Sequence, residues 1–160
     1  MHTTVKDPVC GMEVEPHRNE IIYLRMHFAF CSPQCKERFL AHPHAYIGYT
    51  GQQAPKQEGR EVLKRRRLHL AVSLSPPEVE MLVEELKTMM GIRDVTVAEN
   101  TVEITYDLMQ VTSEQIEAKL AQIGVHLGEG WAERLRRAFV HYEEECELGN
   151  LEVRDPHFHG

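Results

Sequence analysis

No stretch of the 160-residue chain approaches the roughly 20 consecutive apolar residues that cross a bilayer as a helix. The opening residues Met1-His2-Thr3-Thr4-Val5-Lys6 carry no apolar secretory core. These two absences set the expectation of a cytoplasmic protein with no membrane span. Nucleophile–base sets, phosphate loops and paired acid/base signatures are also missing, so no catalytic residue is assigned and no enzyme is expected. Basic charge is scarce: 18 Lys and Arg face 25 Asp and Glu, for a net charge of −7. The imbalance sits in the second half. Residues 68–160 hold 7 basic against 18 acidic side chains, which argues against general nucleic-acid binding there. The one basic cluster is Lys64-Arg65-Arg66-Arg67, read as a solvated domain entry.

Cysteine is sparse too, with 4 in all, but Cys10, Cys31 and Cys35 fall within the first 35 residues. Ser32 is a good helix N-cap and Pro33 suits the first helical position, so a helix should open between Cys31 and Cys35. Cys31 then ends a strand and Cys35 sits in the first helical turn. Backbone N–H groups and the positive helix end favour thiolate there. Thiolates are soft ligands for zinc or cuprous copper. In a reducing compartment this spacing reads as ligation rather than disulfide formation. One transition-metal ion per chain, zinc or cuprous copper, is expected.

The neighbouring residues sharpen this. Asp7-Pro8-Val9-Cys10-Gly11-Met12 precedes Met26-His27-Phe28-Ala29-Phe30-Cys31-Ser32-Pro33-Gln34-Cys35, then Phe39 and Pro43-His44-Ala45-Tyr46. Over about residues 5–48 this resembles the YHS family, within the TRASH group of small treble-clef-like metal-binding modules. The resemblance implies a setting of metal sensing, trafficking or resistance, often beside heavy-metal transport ATPases. It carries the ligand role onto Cys10, Cys31 and Cys35. Met26 stands where the family usually has an aromatic residue. Tetrahedral zinc wants a fourth ligand. The candidates are Asp7, three residues before Cys10; His27, four before Cys31 on the same strand face; and Met12, whose thioether suits copper.

The expected organisation is a metal module over 1–48, a linker with the basic run over 49–67, a second domain over 68–127, and a C-terminal helix with a histidine-containing tail over 128–160. A module of about 45 residues has little core and normally needs a metal or disulfide staple. Leu68, Leu70, Val72 and Leu74 alternate as a strand. Ser75-Pro76-Pro77 opens a helix that Gly91 ends. Strands follow over 92–98 and through Val102, Ile104 and Tyr106. A helix carries Ile116, Leu120 and Ile123, and Val125-His126-Leu127 forms a short fourth strand. The order is βαββαβ, a ferredoxin-like unit. With Gly91-Ile92-Arg93-Asp94-Val95-Thr96-Val97 it is similar to heavy-metal-associated domains. Those carry two cysteines in the first loop, where this chain has Ser73-Leu74-Ser75-Pro76-Pro77-Glu78. Copper transfer through this domain is therefore not inherited. The overall expectation is an α+β chain: a small treble-clef-like module, a ferredoxin-like domain and a C-terminal helix.

In that helix Trp131, Leu135, Phe139 and Tyr142 form an apolar stripe. Packing on the chain's own sheet is the simpler account, and self-association or a partner the other. His141 and Glu145 lie one turn apart but read as a solvated charged face, and His157 and His159 as an unstructured tail. Three roles remain open. The first is a soluble carrier, buffer or accessory to a heavy-metal transport ATPase or another metal-handling protein. The second is an adaptor or homo-oligomer with purely structural zinc. The third is a metal-responsive regulator.

Overall fold

The computed structural model describes residues 3–49 and 51–153 and divides the chain into two compact units, one running to Glu61 and resuming at Cys146, the other Val62–Glu145. The chain mixes helix with small antiparallel sheets, an α+β protein.

In the first unit, β1 (Val5–Lys6) pairs with β2 (Glu13–Val14), and β3 (Ile21–Tyr23) with β4 (Met26–Phe28). Leu24 and Arg25 link the second pair with φ of 50° and 65°. Two consecutive positive φ values are the signature of the tight hairpin turn whose twist matches its strands. Helix α1 (Pro33–Ala41) opens as its sequence dictates: the Ser32 hydroxyl accepts the Cys35 N–H, and Pro33 needs no donor. A 3-10 turn, Pro43–Ala45, follows. The core is aromatic. Phe39 is fully buried, with ring centroids 4.9 Å from Phe28, 5.4 Å from Phe30 and 5.7 Å from Tyr23. Leu148, from the C-terminal helix, is also fully buried.

In the second unit β5 (Leu63–His69), α2 (Pro76–Lys87), β6 (Ile92–Ala98), β7 (Thr101–Asp107) and α3 (Ser113–Gln122) run in that order, with strands arranged β5-β7-β6, all antiparallel. Central β7 buries Val102, Ile104 and Tyr106, and the helices add Leu82, Leu86, Ile116 and Leu120. Both helices start with reciprocal caps, Ser75 with Glu78 and Thr112 with Gln115. Gly91, at φ 87°, follows α2; a side chain there would meet Gln110 Cβ at 2.7 Å.

Two strands differ from the sequence expectation. The first begins at Leu63 rather than Leu68, so the basic run lies inside β5 rather than in a linker. Lys64 and Arg66 pair with Tyr106 and Ile104 on the half-buried face of the strand, and the Arg66 charge acts on Tyr106 and Glu144. Arg65 and Arg67 reach Glu103 at 3.5 and 3.0 Å. The expected fourth strand is a single bridge, Leu70 to Leu127, flanked by Ala71 N–H to His126 and Gly128 N–H to His69 bonds.

Helix α4 (Trp131–Glu152) buries a polar face in the second unit. The Tyr106 hydroxyl and the Ser113 N–H both donate to Glu144, while Arg137 and His141 reach Glu117 at 3.5 and 2.7 Å. Leu135, Phe139 and Tyr142 face outward, 61%, 60% and 68% exposed. The simpler expectation, that this stripe packs on the chain's own sheet, therefore fails for these three. The α4 positions one turn away carry the buried hydrogen bonds and ion pairs. The Trp131 side chain, His157 and His159 lie outside the described residues. No helix among the described residues is long and apolar enough to cross a membrane.

Candidate metal centre

Three local structures deliver three sulfurs to one point. The loop between β1 and β2 carries Cys10, the segment after β4 carries Cys31, and the first turn of α1 carries Cys35. Cys31 Sγ lies 3.5 Å from both Cys10 Sγ and Cys35 Sγ. A disulfide needs about 2.05 Å. Two sulfurs on one tetrahedral zinc, each about 2.3 Å from it, stand about 3.8 Å apart. The observed separations match ligand spacing. The Asp7 carboxylate joins them, all four donor atoms lying within 4.8 Å of one another.

Asp7 is fully buried and already engaged. One oxygen accepts the N–H groups of Val9 and Cys10 at 2.7 and 3.2 Å; the other accepts the N–H of Cys31 at 2.8 Å. It thus closes the Cys10 loop and ties it to the Cys31 segment. Sequence reasoning named Asp7 as a ligand candidate but missed this bond to Cys31, because the two meet only through the fold.

The three thiols are unequal. A hydrogen bond from the Cys35 thiol, opposed by burial and helped by the Met12 N–H, lowers Cys10 to about 7. Burial pushes Cys31 up to about 11. Cys35, donating to Cys10, buried and beside Asp7, is pushed up further. One thiolate forms readily. A second and third would crowd anions beside a buried carboxylate, which only a cation makes favourable. The donor set therefore fits a thiophilic metal ion. Cys10 is the half-buried member; Cys31 and Cys35 are buried.

Residues 5–50 match the YHS domain family model. The match covers the segment that supplies all four donors. No curated protein matches the chain. Among solved structures, one titled a CsoZ metallochaperone is similar at 17% identity and a TM-score of 0.40, over 42% of this chain and 100% of that one.

The other candidates lie apart from the sulfurs. Met12 contributes its backbone N–H to Cys10, and its side chain is largely exposed. His27 does not join the cysteines; its Nε2 lies 2.5 Å from Glu20 Oε2, and a second group forms from His17, Glu20 and His27. His141 bonds to Glu117, and Cys146 is exposed.

Proposed function

We propose that the YHS segment binds one transition-metal ion per chain, zinc or cuprous copper, through the thiolates of Cys10, Cys31 and Cys35. The protein then serves in heavy-metal handling as a carrier, a buffer or an accessory to a transport ATPase or another metal-handling protein. The supporting observation is the convergence of three sulfurs in 3.5 Å steps with one of them, Cys10, half-exposed. A half-exposed, readily ionised sulfur is where an incoming thiol of a partner would attack first. For zinc, an Asp7 oxygen is the proposed fourth ligand; cuprous copper is satisfied by the three sulfurs. We read the segment as treble-clef-like and the second unit as ferredoxin-like, similar to heavy-metal-associated domains, with residues 73–78 empty of soft ligands. In this reading the protein is a cytoplasmic binding protein rather than an enzyme.

A second reading is an adaptor whose zinc only staples the small unit. The outward stripe of α4 favours it, since an apolar face on an acidic chain invites a partner. Metal exchange separates the two. Protein purified without added metal is analysed for its elements, then challenged with a chelator. A carrier releases its ion while folded; a structural site releases it only as the unit unfolds. Absence of stoichiometric metal after both aerobic and reducing purification, with no uptake on addition, overturns both.

A further inference from the structure

The first unit holds a second donor set of different chemistry. His17 sits in the turn at residues 16–19, Glu20 directly precedes β3, and His27 lies on β4. Ile22 pairs with His27, so Glu20, two residues before Ile22, shares the face of His27. Ile21, Tyr23 and Phe28 take the opposite face, where Phe28 and Tyr23 meet Phe39. The turn that carries His17 is held in place. The Phe30 N–H donates to Arg18 at 2.9 Å, and the Asn19 amide donates back to the Phe30 carbonyl at 3.3 Å. Asn19 adopts φ 47°, which asparagine tolerates well. The outcome is convergence on one atom. His17 Nδ1 lies 2.9 Å and His27 Nε2 2.5 Å from the same Glu20 Oε2.

We propose that His17, Glu20 and His27 form a second metal site, for a borderline divalent cation of the zinc class, separate from the three cysteines. The three donor atoms lie within 4.8 Å of one another. Imidazole and carboxylate ligands about 2.1 Å from a tetrahedral ion stand about 3.4 Å apart. Glu20 must draw back from His27 and His17 must rotate to follow it, and both of these side chains are exposed. Two imidazoles and one carboxylate suit zinc, cobalt or nickel, and poorly suit cuprous copper. A cation here replaces the imidazole protons now directed at Glu20. Both histidines lower the Glu20 carboxyl, so it is anionic and available. The fourth coordination position faces solvent, so the ion exchanges freely and binds less tightly than one held by thiolates. The module would then carry two ions of unlike softness.

The test uses the full chain with His157→Ala and His159→Ala, which removes the tail imidazoles. Cobalt(II) is titrated anaerobically under reducing conditions. The expected result is two equivalents, one with thiolate-to-cobalt charge transfer and one with ligand-field absorption alone. His17→Gln with His27→Gln should abolish the second and leave the first. Glu20→Gln should weaken the second at least tenfold. His17→Gln alone, on an exposed turn, gives a variant whose folding is not at stake and should already weaken it. Persistence of the second equivalent in the double variant, or its absence from the parent chain, overturns the proposal. Loss of only the charge-transfer equivalent would sink the thiolate reading and leave this one standing.

Discussion

Asp7 and Cys31 are 24 residues apart, yet the Asp7 carboxylate accepts the Cys31 N–H at 2.8 Å. The same carboxylate holds the Cys10 loop through Val9 and Cys10. One side chain therefore sets the distance between two of the three sulfurs, whether or not it also touches a metal.

Removing that carboxylate leaves three N–H donors without their acceptor. Asp7→Ala should destabilise the first unit by roughly 3 kcal/mol and lower metal affinity with it. Asp7→Asn keeps an acceptor oxygen and should recover part of the stability. Denaturant midpoints of the three proteins decide this, and an Asp7→Ala midpoint equal to wild type would remove the bracing role.

The sulfurs make a separable prediction. In metal-free protein, Cys10 should be alkylated first, since it is half-exposed and ionises most readily. Added zinc should protect it. Cys10→Ser, Cys31→Ser and Cys35→Ser should each lower metal content below one ion per chain. Full stoichiometry in all three would refute a three-thiolate site. Mass spectrometry of the labelled peptides gives the order of reaction.

Much of this was readable from residue types alone. Ser32-Pro33 announced the helix start, because capping is local chemistry, and the three cysteines expected to converge do lie together. Alternation located β6 and β7, whereas the helix expected to run to Gly91 ends at Lys87, with Thr88 as its C-cap. The start of β5 was hidden because Lys64 and Arg66 occupy its half-buried positions, which a polarity pattern scores as charge. The outward turn of Leu135, Phe139 and Tyr142 was hidden for the complementary reason: the buried α4 face is built on Glu144 and His141, whose partners come from distant segments. His27 was assigned by strand parity to the side of Cys31. Its partner Glu20 is fixed by hairpin register, which no spacing rule supplied.

Glu144 gives a pH prediction. Burial raises its carboxyl, against hydrogen bonds from Tyr106 and Ser113 and the nearby Arg66 and His141. A raised folded pKa means that this group's stabilising contribution is full below the unfolded value, about 4.3, and is lost as pH rises through the folded value. Relative to Glu144→Gln, wild type should thus lose stability as pH rises above the unfolded value of about 4.3. Thermal melts of both proteins across that range test it. A difference independent of pH would mean that Glu144 does not titrate with folding.

The α4 stripe gives the last prediction. Leu135 and Phe139 are exposed within the chain, so replacing both with Asp removes little intramolecular packing and should shift the melting temperature of the monomer hardly at all. The helix is also electrically polarised. Its first half sets Arg134, Arg136 and Arg137 against Glu133, although Arg136 pairs with Glu133 and Arg137 with Glu117 within the chain, and its second half carries Glu143, Glu145 and Glu147 with no basic residue. Two copies packed antiparallel set basic halves against acidic halves, with the apolar stripes between them, which commits the stripe to a second copy of this chain. Burying a large apolar side chain contributes about 1.5–3 kcal/mol, so two from each copy suffice to hold a weak dimer. Sedimentation of wild type should therefore show concentration-dependent association, weakened by salt, that Leu135→Asp with Phe139→Asp abolishes while the chain stays folded. A monomeric wild type at all concentrations would leave the stripe for a different partner. A large fall in melting temperature at unchanged mass would instead place these side chains in intramolecular packing.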